Sequence, residues 1–339
     1  MNVWFFLGGL AAIVFTMIDA LRTTLAVRGG GPLTGQVAQG LWRGAQRLHR
    51  HTGGHRLLRV MGSVIFLTVI ALWILMLWGG WTLAFLSAEN AVVASATQAP
   101  ADFWSRVYFT GFTLYTLGIG DYVPQGALWQ VLTALASLNG LFLVTLALTY
   151  LVPVVSAAAQ EHQLAGTIAD LGATPEEIIE RAWTGDGFEG LGQHLAPLIS
   201  SIELHNQRHL IYPVLHYFHS AEARTAISVN IAVLDEALTL IAEGAAPGVR
   251  PASLTTQPAR DAIAGLLSML QQQYIEPAEA PPAPPSLDLL EAHGIPTVDA
   301  ATYRQGIEAH TDRRRLLRAY VEQDGWSWDQ VWQHPQRSA

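Results

Sequence analysis

The sequence predicts an all-α membrane protein. It has three transmembrane helices, a re-entrant helix and loop between the second and third, and a C-terminal helical domain. Three observations predict this. Half of the 339 residues are hydrophobic and 14% are charged, against roughly 25% charged in an average soluble protein. Three apolar runs, at 3–21, 60–86 and 128–158, reach the roughly 20 residues that cross a bilayer core. Beyond about residue 160, apolar residues recur with helical spacing and few strand signals. A chain of this length is expected to hold two units. It has no cysteine, which excludes disulfides and thiolate metal sites. All 19 basic residues are arginine, and with the many alanines and glycines this points to a GC-rich bacterial genome. The net charge of −8 arises in the C-terminal half, because the N-terminal part is basic.

The first span, within residues 1–22, is broken only by Asp19 near its end. A cleaved signal peptide would need a positive start and a small-residue cleavage site. Here the start is uncharged and arginines follow the run, so a retained span is expected. Asp19 is placed at the interface, with Arg22 or Arg28 as its partner. Residues 23–59 form a basic loop. Counted from Arg22, it carries Arg22, Arg28, Arg43, Arg47, Arg50, Arg56 and Arg59 and no acid, which assigns it to the cytoplasmic side. Leu33, Val37, Leu41, Ala45 and Leu48 share a helical stripe that Arg43, Arg47 and Arg50 avoid. An amphipathic helix at the inner membrane interface is expected, with anionic lipid as its partner. The alternative is a helix packed on the C-terminal domain. Gly29 to Gly31 make a flexible entry, and Gly53-Gly54 a break. No Gly-Lys-Ser/Thr follows the glycines, so they are not a phosphate loop.

Residues 60–158 form the central module. Val60 to Leu86 is an uncharged span with Trp78 and Trp81 at its outer end. Ser87 to Asp102 is a short external loop. Phe103 to Tyr115 is too short to cross and reads as a re-entrant helix, which is tolerated only where it lines a cavity or is buried in protein. Leu128 to Ala158 runs back inward. An odd number of spans puts the N-terminus outside and the C-terminus in the cytoplasm. The arginine-rich loop demands the same topology.

The stretch Thr116-Leu117-Gly118-Ile119-Gly120-Asp121-Tyr122-Val123-Pro124 follows the re-entrant helix. Alternating glycines permit a backbone in which every other residue has positive φ, where a side chain costs about 1–2 kcal/mol. Such a backbone lines an axis with carbonyl oxygens, which replace the hydration shell of a cation. The stretch resembles the filter of potassium channels of the two-span pore-loop type. Gly120 to Pro124 most resembles the second pore loop of the animal two-pore-domain channels.

The resemblance implies that the carbonyls of Thr116, Leu117, Gly118 and Ile119, with Gly120, form potassium sites, the Thr116 hydroxyl standing at the inner end. Thr113, Tyr108, Phe109 and Asp121 support the filter. Four copies of the single loop are needed, which implies a homotetramer. Ile119 stands where many members carry tyrosine, and Leu117 where valine or isoleucine is usual. The pore is implied; selectivity for potassium over sodium is left to measurement. Gly140 sits where inner helices of this family often bend, and Val152-Pro153-Val154 resembles part of a proline gate motif. Close packing at Gly140 and a static kink at Pro153 are the alternatives. No arginine-rich span exists for voltage sensing.

The rest divides into a helical domain at 159–276, a proline-rich linker at 277–286 and a helical tail at 287–339. Thr174, Pro175 and Glu177 mark a helix start. Helices are expected over 191–207, 210–219, 221–243 (amphipathic), 259–274, 287–292 and 300–323. Gly185 to Gly190 has the glycine spacing of a dinucleotide loop, but a helix and not a strand precedes it. His205 and His209 are four apart, and His216 and His219 three apart, spacings suited to a metal or to proton sensing, with packing beside Tyr212, Tyr217 and Phe218 as the more common alternative. His194 lies nearby. Arg313-Arg314-Arg315 reads as a solvated or lipid-facing surface. No enzyme motif, nucleic-acid partner or cofactor is expected beyond potassium ions. The expected function is a bacterial inner-membrane potassium-channel-like pore, gated or assembled by the helical domain. The alternatives are a weakly selective cation channel and a non-conducting sensor or adaptor.

Overall fold

Asn2 starts the first helix. Its side chain accepts from the backbone N–H of Trp4 at 3.1 Å and of Phe5 at 3.4 Å, capping α1 (Val3–Leu25). The structure, a computed structural model, describes residues 1–26, 30–52 and 55–333. Arg28, Gly29, Gly53 and Gly54 lie outside the described residues. α2 (Pro32–Thr52) and α3 (Arg56–Leu86) follow. α4 (Phe103–Leu114) is the short helix, and α5 (Ala127–Leu171) the long one. α1, the 57–86 part of α3 and α5 are long and apolar enough to cross a membrane. They leave large apolar side chains such as Leu10, Leu67, Leu75 and Leu138 exposed; lipid is the natural solvent for such a surface.

Two compact units emerge: residues 1–43, 63–155 and 211–214 form the first, and 44–62, 156–210 and 215–339 the second. In the first, Asp19 is fully buried; of its two expected partners, Arg28 lies outside the described residues. Its carboxylate accepts from Trp73 Nε1 at 2.9 Å, Leu33 N at 2.8 Å and the Thr34 hydroxyl at 2.6 Å. It therefore caps α2 from a distance, where an anion is favoured by the unpaired N–H groups and the helix dipole. Asp19→Ala is expected to cost about 3 kcal/mol, because it strands buried donors. Hydrogen exchange at residues 32–36 should rise sharply; unchanged protection would refute the cap.

α2 is amphipathic as expected, but Ala38, Trp42 and Ala45 form its buried side while Leu48 is exposed. Its last part belongs to the second unit, where Gln46 donates to the Gln323 carbonyl at 2.7 Å. The alternative of packing on the C-terminal domain thus holds for that part of the helix. The inner helix also outruns its expected end at Ala158, continuing to Leu171 without interruption at Pro153.

The second unit adds α6 (Pro175–Ala182), α7 (Leu191–Ile211), α8 (Ile227–Gly244), α9 (Ser253–Gln273), α10 (Asp288–Ala292), α11 (Ala300–Glu308) and α12 (Thr311–Gln323). Thr174 caps α6 as expected, accepting from Glu177 N at 3.2 Å; Glu177 reaches back to Ala173 N at 2.6 Å. The expected helix at 210–219 does not form. α7 ends at Ile211 and a 3-10 turn spans Pro213–Tyr217, because proline lacks the N–H that would continue an α-helix. The helix expected over 300–323 is two, divided at Ala309 and His310.

α8 corrects the larger expectation. It is not amphipathic but buried on every face from Ile227 to Ile241, packed by α6, α9, α11 and α12. Two buried carboxylates, Asp235 and Glu236, sit mid-helix. Arg313 and Arg314 of the arginine triplet answer them and are not a solvated surface. Arg313 pairs with Asp235, its Nε at 3.0 Å. Arg314, 2% exposed, binds Glu236 through two bonds of 2.7 and 3.0 Å. Arg314 also donates to the Pro282 and Ala283 carbonyls, and Arg315 to that of Ala278 at 2.7 Å. The proline-rich segment is therefore a strap held along α12.

Just beyond the C-terminal end of α12, His55 stacks on Trp326 at 4.1 Å, with Nδ1 3.0 Å from His219 Nε2. His219 Nδ1 lies 2.9 Å from Asp324, which accepts from Ser228. Burial, then the neighbouring His219 and His49, push the His55 imidazole down to about 4, against an opposing pull from Asp324. A base depressed on folding stabilises the fold fully above the unfolded value near 6.5 and loses that contribution as pH falls towards 4. The thermal midpoint should drop over this window, and His55→Gln should flatten the drop. An identical profile in the variant would exclude His55 as its origin.

Candidate functional site

The site is built on α4. Asp102 caps it, accepting from Ser105 N at 2.7 Å. Arg106, buried, spends its guanidinium on four carbonyls: Ala101 at 2.8 Å, Phe85 and Ala88 at 2.7 Å, and Glu89 at 2.5 Å. It thereby closes the C-terminal end of α3 and fixes the loop that precedes α4. A lone charge in an otherwise apolar re-entrant segment was a usable sequence signal for this role.

The inner end of α4 stops by a specific backbone device. Thr116 N–H donates to the Thr113 carbonyl at 3.1 Å and Leu117 N–H to that of Phe112 at 2.8 Å. These bonds form the Schellman arrangement, whose key residue takes left-handed backbone. That residue is Thr116, with φ +57°. A β-branched residue there is costly. The next two alternate residues follow suit, Gly118 at φ +58° and Gly120 at φ +85°. Positive φ thus recurs at 116, 118 and 120, the alternation expected for the two glycines, with a third member that glycine spacing did not reveal.

Residues 116–121 are exposed, including the side chains of Leu117 at 67% and Ile119 at 53%. The loop's exit is anchored. Two short strands, β1 (Val92–Ala94) and β2 (Tyr122–Pro124), pair antiparallel with Val93 opposite Val123. They depart from an all-helical expectation, and their valines and tyrosine suit strand geometry. Ser95 N–H donates to the Asp121 carbonyl at 2.9 Å, and the Ser105 hydroxyl to Tyr122 at 2.8 Å. Tyr108 faces Asp121 within reach of a side-chain hydrogen bond. Phe109 is buried against Phe85 at 5.1 Å and Phe112 at 5.3 Å; Thr113 is buried too. Of the residues named as supports, Asp121 lies in this loop and Tyr108, Phe109 and Thr113 lie on α4.

Gly140 lies directly under the end of α4. An added Cβ would meet Leu114 C at 2.7 Å and Cα at 2.8 Å, with the carbonyl oxygen closer still. This close approach gives Gly140 a packing role. Pro153 sits inside α5.

The four histidines do not form one set. His205 and His209 stand together on α7 with ring centroids 4.5 Å apart, and Glu161 of α5 joins them. His216 stacks on Tyr274 at 4.1 Å. His219 uses both ring nitrogens on His55 and Asp324. His194 lines a different cavity, beside Arg181 and Glu189. Glu161 was missed because a lone carboxylate in a helix carries no spacing signal.

Residues 64–157 match a family described as an ion channel. The chain is 32% identical over 330 residues to an uncharacterized membrane protein, YdjJ, of Bacillus subtilis (strain 168). That similarity covers 97% of this chain and 96% of the relative. The chain belongs to the family of this membrane protein and contains an ion channel domain. The matched residues take in most of α3, all of α4, the 116–121 loop and the apolar part of α5 up to residue 157. The ion channel domain thus coincides with the elements that present the loop. No solved structure matches the chain.

Proposed function

We propose that the chain is one subunit of a homotetrameric, potassium-channel-like pore in a bacterial cytoplasmic membrane. The alternation of positive φ at Thr116, Gly118 and Gly120 carries this reading. Alternating backbone turns successive carbonyls towards one axis, and four such loops around the axis make stacked rings of oxygens. In this reading the carbonyls of Thr116 to Ile119 hold dehydrated K⁺. Asp121, beside Tyr108, ties the loop to the re-entrant helix and concentrates cations at the mouth. The exposed Leu117 and Ile119 side chains pack against neighbouring subunits. The N-terminus lies outside and the basic α2 inside, with anionic lipid at its exposed arginines Arg43 and Arg47. The C-terminal helical unit gates or assembles the pore, and Gly140 and Pro153 on α5 are the candidate gate positions.

Ile119 supports a second reading, a weakly selective cation pore. Its side chain offers packing but no hydroxyl with which to stiffen the filter. Reversal potentials of purified protein in planar bilayers, under opposed K⁺ and Na⁺ gradients, test both. A potential that follows K⁺ is expected. One that follows both ions alike overturns strict selectivity. No current from a verified tetramer overturns the pore and favours a sensor or adaptor.

A further inference from the structure

We propose that Glu161, His205 and His209 form a binding site for a divalent transition ion, with Zn²⁺ as the preferred occupant. Each offers one ligand atom, and the three lie within 4.8 Å of one another. His205 and His209 share a face of α7 through their four-residue spacing, and Glu161 meets them from α5. The site lies wholly within the second unit.

Three features point to an ion and not to ordinary packing. All three residues are buried. Each also has a buried polar atom without a hydrogen-bond partner: Oε2 of Glu161, Nε2 of His205 and Nδ1 of His209. Each such orphan costs roughly 1–3 kcal/mol. Three buried orphans, on residues that each bring a ligand atom within 4.8 Å of the others, are what ligation would satisfy together. Second, the donor set is chemically matched. Two imidazoles and a carboxylate are a known three-ligand set for zinc, which leaves a fourth position open. Third, that position has space. A cavity of about 210 Å³ is lined by Glu161 and His205, together with Gln160, Ser201 and Arg208.

Arg208 adds unfavourable positive charge at the cavity. A tetrahedral site with bonds of about 2.1 Å sets its ligands roughly 3.4 Å apart. Loading therefore draws the three atoms together by no more than about 1.4 Å, within the reach of side-chain rotation. The bound ion would pin α7 to the part of α5 that follows Ala158.

The test is Zn²⁺ binding by the full-length protein in detergent, stripped with chelator and titrated against a chromophoric zinc indicator. One Zn²⁺ per chain is expected. His205→Ala, His209→Ala and Glu161→Gln should each weaken binding at least about tenfold, while His194→Ala leaves it unchanged. X-ray absorption on the unsubstituted, zinc-loaded protein supplies a readout that needs no variant. It should show nitrogen and oxygen ligands at about 2.0–2.1 Å. Absence of stoichiometric zinc in the folded unsubstituted protein overturns the site. So does a His205→Ala variant of unchanged thermal midpoint that binds as tightly as before. Neither result bears on ion conduction, which is read separately.

Discussion

Replacing Gly118 by alanine is expected to abolish cation flux while the protein still folds and assembles. Gly118 sits at φ +58° with no atom within 4 Å of where a Cβ would stand. The methyl group therefore has room in the chain, and the penalty is conformational. It is about 1–2 kcal/mol per subunit, and it acts on four subunits at once in the proposed tetramer. The backbone relieves it by turning towards negative φ, which rotates the carbonyls of Leu117 and Gly118 off the axis. A stack that has lost these oxygens no longer matches the hydration shell it replaces. Liposome flux should fall to background with the elution volume of the assembly unchanged. Undiminished flux from Gly118→Ala would remove this loop from the conduction path. It would also leave the ion channel domain without the feature that carries the proposed function.

Arg314→Met should destabilise the C-terminal unit by about 3–5 kcal/mol. Arg314 is buried against Glu236, a residue fully enclosed in α8. Burial already pushes the Glu236 carboxyl up, and its hydrogen bonds and charge attraction to Arg314 oppose that push. Removing the arginine leaves a carboxylate without its partner in a dry core, together with freed carbonyls at Pro282 and Ala283. Both the core and the strap should loosen. Thermal denaturation should report the first, and protease cleavage within residues 277–286 the second. Arg314→Met combined with Glu236→Leu should recover most of the loss, since a buried ion pair replaced whole is often close to neutral. A single variant as stable as the parent protein would show that the pair is not holding α12 on α8.

The spans and the short helix were legible because bilayer thickness sets a length that composition alone reveals. The loop was legible for a related reason: alternating glycines report directly on backbone conformation. The same signal could not reveal Thr116, whose positive φ follows from the way α4 ends and not from its side chain. Asp19 was readable as unusual but not as a cap. Its partners, Leu33, Thr34 and Trp73, lie 14 or more residues away in sequence. Arg313 and Arg314 failed for the same reason, because the carboxylates that pair with them lie 78 residues earlier.

The sequence alone determined which segments are apolar enough to cross a membrane, where the chain re-enters and where its backbone must turn left-handed. These are properties of length, polarity and local sterics, which each segment carries by itself. Only the tertiary structure decided which charges are buried, that α8 is a core helix, that the proline-rich stretch is a strap, and that Glu161 meets two of four histidines. These depend on which distant residues share a neighbourhood, and no local pattern encodes that. The loop from Thr116 to Asp121 stands on both sides of this line. Its glycines were written in the sequence, while the cap at Thr116 and the anchoring of its exit came from the fold.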